Sequence, residues 1–291
     1  MNLQDSIESA ITEATGTEAR LNGFRQVPGG SINNSRVISL KDGREFFVKS
    51  HPNVSQYPGM FESEYKGLLL LTETQTVRVP RPVVCNSRFI VLEAFQESER
   101  KQDWHEKIGR QLAQLHLATR TSRFGFERDN YLGITQQPNT WTDDWLGFWR
   151  DQRLGWQLEL YSRKADPGDR LLQLGDRLMV RLDSLIGKLD EPAVLLHGDL
   201  WSGNSAADGE GEPVIYDPAC YYGQREAEFG MMRMFGGYGA RCESAYDEVW
   251  PRSAGSEERI AVYRLYHELN HLNLFGRSYY QNCISTMEKL V

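Results

Sequence analysis

The chain has 291 residues, 40% of them hydrophobic, and its Lys and Arg (33) are outnumbered by Asp and Glu (40), for a formal net charge of −7. That composition excludes a disordered or fibrous chain and weighs against nucleic acid as a ligand, because phosphate neutralisation needs clustered Lys and Arg. The four cysteines, Cys85, Cys220, Cys242 and Cys283, stand apart with no CxxC pair, which excludes a zinc ribbon or disulfide framework and points to a reducing, cytoplasmic compartment.

Residues 5–15 place Ile7, Ala10 and Ile11 at helical spacing; with no basic start or apolar run, they read as a helix and not as a targeting segment. Residues 24–27, 35–40 and 44–49 are short β-prone runs, separated by Pro28-Gly29-Gly30 and Lys41-Asp42-Gly43. The second of these turns predicts an antiparallel hairpin. A helix over 61–71 and a strand over 88–95 follow, joined through Val79-Pro80-Arg81-Pro82, where each proline pushes its predecessor out of the helical region. Beyond Phe95 helix formers dominate: Trp104, Ile108, Leu112 and Leu115 recur at helical spacing through Ala118, and 171–189 and 259–275 are longer helical patterns. Two short apolar runs, 194–196 and 214–216, flank a segment rich in Asp, Gly and Asn. No stretch approaches the roughly 18 apolar residues of a membrane helix, so no membrane partner is expected. The reading is an α+β protein of two lobes, a small antiparallel-sheet lobe over 1–94 and a larger, mostly helical lobe over 95–291.

The segment with chemical content is His197-Gly198-Asp199-Leu200-Trp201-Ser202-Gly203-Asn204, with Asp217 beyond the next apolar run. Asp199 and Asn204 have the Asp-x-x-x-x-Asn spacing of a kinase catalytic loop, in which the Asp accepts the proton of the attacking hydroxyl and the Asn binds Mg²⁺. Asp217 stands where a second metal ligand belongs, and Mg²⁺ favours such carboxylate and amide oxygens. An Asp/Gly/Asn loop can also be a mere turn. The upstream chain decides between the two readings. Lys49 closes a predicted strand and Glu64 lies on the following helix, giving a pair to orient the α- and β-phosphates of ATP. Glu62 is the other candidate; Glu64 is preferred because its register sets it beside Gly67 and Leu68. Gly29, Gly30, Ser31, Ile32 and Asn33 lie between the first two strands, where glycine lets backbone N–H groups approach phosphate oxygens. The carbonyl of Glu93 and the amide of Phe95, at the expected junction of the lobes, are candidates to bond an adenine edge. His197 and His116 read as structural, and Trp141, Trp145, Phe148, Trp149 and Trp156 as packing.

Taken together these residues resemble the fructosamine kinase (ketosamine 3-kinase) family, within the aminoglycoside phosphotransferase and protein-kinase-like superfamily. The resemblance runs through Gly29 to Asn33, Phe61-Glu62-Ser63-Glu64, Phe124-Gly125-Phe126, Asp129-Asn130-Tyr131-Leu132-Gly133, Pro138-Asn139, Asp144-Trp145, His197 to Asn204, Asp217-Pro218-Ala219 and Tyr221-Tyr222-Gly223 with Arg225-Glu226. It implies a bilobal protein-kinase-like fold and ATP- and Mg²⁺-dependent phosphorylation of the C3 hydroxyl of a ketosamine, free or protein-linked, whose 3-phosphate decomposes and frees the amine. It also implies Asp199 as the base, Asn204 and Asp217 as metal ligands, and Trp201 as a wall for the sugar. Gln224 departs from the His or Asp of many relatives. The alternative is a kinase of the same fold acting on another hydroxyl, such as that of an aminoglycoside or choline-like compound.

Overall fold

The computed structural model describes residues 2–27, 33–164, 169–187 and 190–291. Its helices are α1 (Leu3–Thr15), α2 (Met60–Thr74), α3 (Trp104–Ala118), α4 (Trp145–Trp149), α5 (Trp156–Ser162), α6 (Arg170–Ile186), α7 (Ala227–Met234), α8 (Gly239–Val249), α9 (Ser256–Phe275) and α10 (Tyr280–Leu290), with one π-helical turn, Arg150–Gly155, between α4 and α5. The strands are β1 (Leu21–Gln26), β2 (Asn34–Leu40), β3 (Glu45–Ser50), β4 (Pro82–Asn86), β5 (Phe89–Glu93), β6 (Asn130–Leu132), β7 (Thr135–Gln137), β8 (Val194–Leu196), β9 (Ser205–Ala207), β10 (Pro213–Ile215) and β11 (Tyr221–Gly223). The fold is mixed α+β, with antiparallel sheets and many helices. Two compact units form, one of residues 1–104 with 205–217, the other of 105–204 with 218–291. Among the described residues no helix is long and apolar enough to cross a membrane.

In the first unit a five-stranded sheet in the order β1-β2-β3-β5-β4 is antiparallel throughout. The side chain of Asn2 caps α1 by accepting from the Asp5 N–H at 2.8 Å, and the apolar stripe of that helix, Ile7 and Ile11, packs with Ile38, Leu40, Phe46, Val48, Phe89 and Val91 of the sheet. Opposite residues of β3 then alternate away from this core, and Lys49 is one of them. The expected connection over 79–82 ends in a strand, because Pro82 starts β4 at the sheet edge, where a missing N–H costs no ladder bond. A hairpin, β9 with β10, returns late in the chain to this unit, and Ile215 N–H donates to the Arg78 carbonyl at 3.0 Å.

The second unit is built around α9, which buries residues on nearly every side. Gly230 of α7 allows its close approach: a Cβ there would stand 2.8 Å from the backbone of Tyr263 and Arg264. Periodicity does not announce α7, because Ala227, Glu228, Phe229, Gly230, Met231 and Met232 are all buried in succession and leave no polar stripe. The pattern over 171–189 ends earlier, at Ile186, and Leu189 lies outside the described residues.

Candidate active site

In the first unit β3 delivers Lys49 to a buried position, 5% exposed, where its ammonium lies 2.7 Å from Glu64 Oε1 of α2 and 2.6 Å from Asp217 Oδ1. Glu62 does not share this contact, in keeping with the register that favoured Glu64. Burial opposes the charge on Lys49, but the Asp217 and Glu64 carboxylates outweigh it and raise its pKa. Burial pushes the Glu64 carboxyl up to about 7, against the ammonium of Lys49 and assisted by the Asp217 carboxylate, since two acids share one cation. Asp217 is held in the left-handed region at φ +63°, a conformation that costs free energy for a residue with a side chain. Its side chain stays 46% exposed.

The candidates for an adenine edge lie in the same unit. Glu93 ends β5, and its carboxylate is already engaged, by Arg78 at 2.9 Å and by the Arg81 N–H at 3.1 Å. Its backbone N–H is engaged too, donating to the Arg81 carbonyl at 2.8 Å, so the expected bond falls to its carbonyl alone. Phe95 is half-buried between the Tyr216 ring and the Arg78 guanidinium, which also pairs with Asp208 of the late hairpin. Arg78 thus organises this corner, a role that sequence reasoning did not assign. Gly29, Gly30, Ser31 and Ile32 lie outside the described residues; Asn33 precedes β2, and its Oδ1 is buried without a hydrogen bond among the described residues.

In the second unit β8 pairs with β11 and runs into the loop of residues 197–204. Asn204 Nδ2 donates to the backbone carbonyl of Asp199 at 2.9 Å and to its Oδ2 at 3.0 Å, so the amide nitrogen is spent on Asp199. His197 Nδ1 accepts from the Asp199 N–H at 3.3 Å, a structural role. The turn is seated from two directions. The buried carboxylate of Glu228 accepts from the His197 N–H at 2.6 Å and the Gly198 N–H at 3.0 Å, and the Ala219 N–H donates to the His197 carbonyl at 2.8 Å. Gly198 is required there: φ is +79°, and a Cβ would stand 2.2 Å from the Ala219 oxygen. Glu228 itself escapes a motif search because it sits on a helix buried all round. Behind it His116 Nδ1 bonds Tyr246 Oη at 2.9 Å, and burial lowers the His116 pKa, keeping the ring neutral. Trp201 is half-buried, its ring centroid lies 5.4 Å from that of Phe235 at a tilt of 58°, and it covers Gly203, whose Cβ would strike its ring at 2.2 Å. Gln224 is buried and accepts from Tyr263 Oη at 2.8 Å.

Among the described residues no cluster of three or more His, Cys, Asp or Glu could form a complete metal cage. The expected ligands lie one in each unit, Asn204 in the second and Asp217 in the first, and carboxylate and amide oxygens are the ligand types that Mg²⁺ takes.

Fold and loop together define a phosphotransferase of the protein-kinase-like class that acts on a hydroxyl group. A choline kinase from Streptococcus pneumoniae shares the fold at a TM-score of 0.68 with 12% identity, over 99% of each chain. The family model for fructosamine kinase matches residues 3–291, and the chain belongs to that family. It is 41% identical over 286 residues to a chloroplastic protein-ribulosamine 3-kinase of Oryza sativa subsp. indica, covering 96% of this chain and 81% of the relative. A protein assigned as a ketoamine kinase from Synechocystis sp. is 40% identical, over 95% and 92% of the two chains. A crystal structure assigned as a fructosamine-3-kinase from Thermobifida fusca superposes with a TM-score of 0.87 at 30% identity, over 98% of each chain.

Proposed function

We propose that the chain transfers the γ-phosphoryl group of ATP to the C3 hydroxyl of a ketosamine, free or protein-linked, in deglycation. The observation that carries this reading is the Asp199 and Asn204 pair, joined at 2.9 and 3.0 Å in a chain matched by the fructosamine kinase model over residues 3–291. Residues 1–94 would serve as the nucleotide-binding lobe and 95–291 as the catalytic and acceptor-binding lobe. Cys220, Cys242 and Cys283 are buried free thiols, which supports a reducing, cytoplasmic setting, although the rice relative is named as chloroplastic.

In this mechanism Asp199 takes the proton of the acceptor hydroxyl as its oxygen bonds to phosphorus and the bond to the ADP oxygen breaks. Lys49, oriented by Glu64, holds the α- and β-phosphates. Asn204 and Asp217 would hold Mg²⁺, which when bound neutralises charge on the phosphate oxygens. Trp201 walls the sugar, and Gly29, Gly30, Ser31, Ile32 and Asn33 bring backbone N–H groups to the phosphates, with the Glu93 carbonyl and Phe95 amide on the adenine. The 3-phosphate is unstable and decomposes to release the amine.

The test is a panel of glycated amines, aminoglycosides and choline offered with Mg·ATP, with the phosphorylated position located by NMR. Turnover of ketosamines at C3 supports the reading. Turnover only of the other alcohols overturns it in favour of a kinase for another acceptor.

A further inference from the structure

A layer of buried side-chain amides lies against the Ala219-Cys220 segment, and the chemistry above makes no use of it. Asn130 of β6, Gln137 of β7, Asn139 and Arg153 are each no more than 2% exposed. Gln137 Nε2 donates to Asn130 Oδ1 at 2.7 Å and to the Ala219 carbonyl at 3.3 Å, while Asn130 Nδ2 donates to the Cys220 carbonyl at 2.8 Å. Asn139 Nδ2 donates to the same Asn130 oxygen at 2.9 Å, and Tyr266 Oη to Gln137 Oε1 at 2.8 Å.

Arg153 stands behind this layer. It belongs to the π-helical turn, a distortion that is uncommon and concentrated at functional sites. Its guanidinium donates to Asn139 Oδ1 at 2.7 Å and to the Pro138 carbonyl at 2.5 Å, and lies 4.1 Å from the Tyr221 ring and 4.4 Å from that of Phe148. Among the described residues no carboxylate pairs with it. Its Nε is buried without a hydrogen bond among the described residues, and a buried cation met only by carbonyl oxygens and ring faces polarises what it touches. Here the polarisation runs in one direction: from Arg153 to the Asn139 carbonyl, from the Asn139 amide to Asn130, and from Asn130 to the Cys220 carbonyl.

The recipients of these bonds are the seat of the loop that carries Asp199. The Ala219 N–H donates to the His197 carbonyl, and the Ala219 oxygen fills the space that a Cβ on Gly198 would need. We propose that Gln137 and Asn130, the latter polarised by Arg153 through Asn139, are positioning residues for phosphoryl transfer: they fix Ala219 and Cys220, on which the turn leading to Asp199 rests. This inference rests on the reading of Asp199 as the base. A displacement of about 1 Å at such a group can cost on the order of 10²-fold in rate, so the layer acts on turnover and not on binding.

A second buried glutamine supplies the control. Gln157 is as buried as Gln137, but its side-chain amide bonds Asn270 and Asn273. Gln137→Leu and Gln157→Leu each remove a buried amide, and thermal melts report the cost to the fold. Gln137→Leu is expected to lower kcat by about 10- to 100-fold with KM for ATP and acceptor within about twofold, whereas Gln157→Leu keeps kcat. Should Gln137→Leu fail to fold, Gln137→Glu, which keeps the shape but removes the donor to Ala219, is expected to give the same split. In an Asp199→Asn background Gln137→Leu should cost nothing further. Equal kcat values for the Gln137 and Gln157 variants, or losses that add to that of Asp199→Asn, would overturn the positioning role. Full turnover by Asp199→Asn alone would instead overturn the base assignment, whatever Gln137 does.

Discussion

Two buried polar clusters in this molecule solve different problems by opposite means. Around Lys49 the first unit sets formal charges against each other, one ammonium between two carboxylates. Around Asp199 the second unit uses peptide N–H groups, side-chain amides and the single acid Glu228 to fix backbone. The first arrangement carries a desolvation cost that a buried ion pair recovers only with good geometry, and in the proposed mechanism it keeps a cation ready for the phosphates. The second sets geometry with largely neutral donors, which hold a loop in place through its backbone. In the proposed mechanism, a charge that neutralises phosphate and a base that takes a proton thus call for different neighbourhoods.

Substitutions at the centre of each cluster separate the two. The largest effect is expected on turnover: Asp199→Ala should lower kcat by about 10²- to 10⁴-fold, the span of general-base catalysis, with nucleotide affinity nearly intact. Unaltered steady-state turnover would show that the loop geometry serves something other than proton transfer. Asp217→Ala belongs to the charged cluster and should act on binding instead. Calorimetric titration with Mg·ATP is expected to show the metal-dependent affinity gone, and an unchanged Kd would remove Asp217 from the metal site.

Sequence reasoning reached these two clusters unequally. Lys49 and Glu64 were legible because strand and helix register each place one residue, and the helical register of Glu64 beside Gly67 and Leu68 favoured it over Glu62. Asp199 and Asn204 were legible because their spacing is fixed by the chemistry of one short loop. Glu228, Arg153 and Gln137 were not. Each works on a backbone group or amide far off in sequence, as Gln137 does on Ala219 and Glu228 on His197, and no local period encodes such a bond. The same limit hid β4, whose proline reads as a break until the sheet order shows it to be an edge. Residues 130 and 139 did stand within the quoted family motifs, yet their amides acquire a role only when the carbonyls they meet are known.

Two buried groups, one in each unit, also respond to pH with opposite sign, and this gives the smallest expected effect. Glu64 has its folded pKa raised from 4.5 to about 7, so the folded chain holds this proton more tightly than the unfolded one. Its stabilising contribution is complete below about pH 4.5 and is lost as pH rises through about 7. His267 of α9 is buried, and burial lowers its pKa from 6.5 to about 3, so its contribution is complete above about pH 6.5 and is lost on acidification toward 3. Melting curves of the ligand-free protein between pH 4 and 8 should therefore show Glu64→Gln flattening the alkaline decline and His267→Asn flattening the acid one, each by on the order of a few degrees in Tm. Parallel pH profiles for the two variants would mean that Glu64 holds its proton no more tightly in the folded chain than in the unfolded one, and burial would then not be what sets its charge.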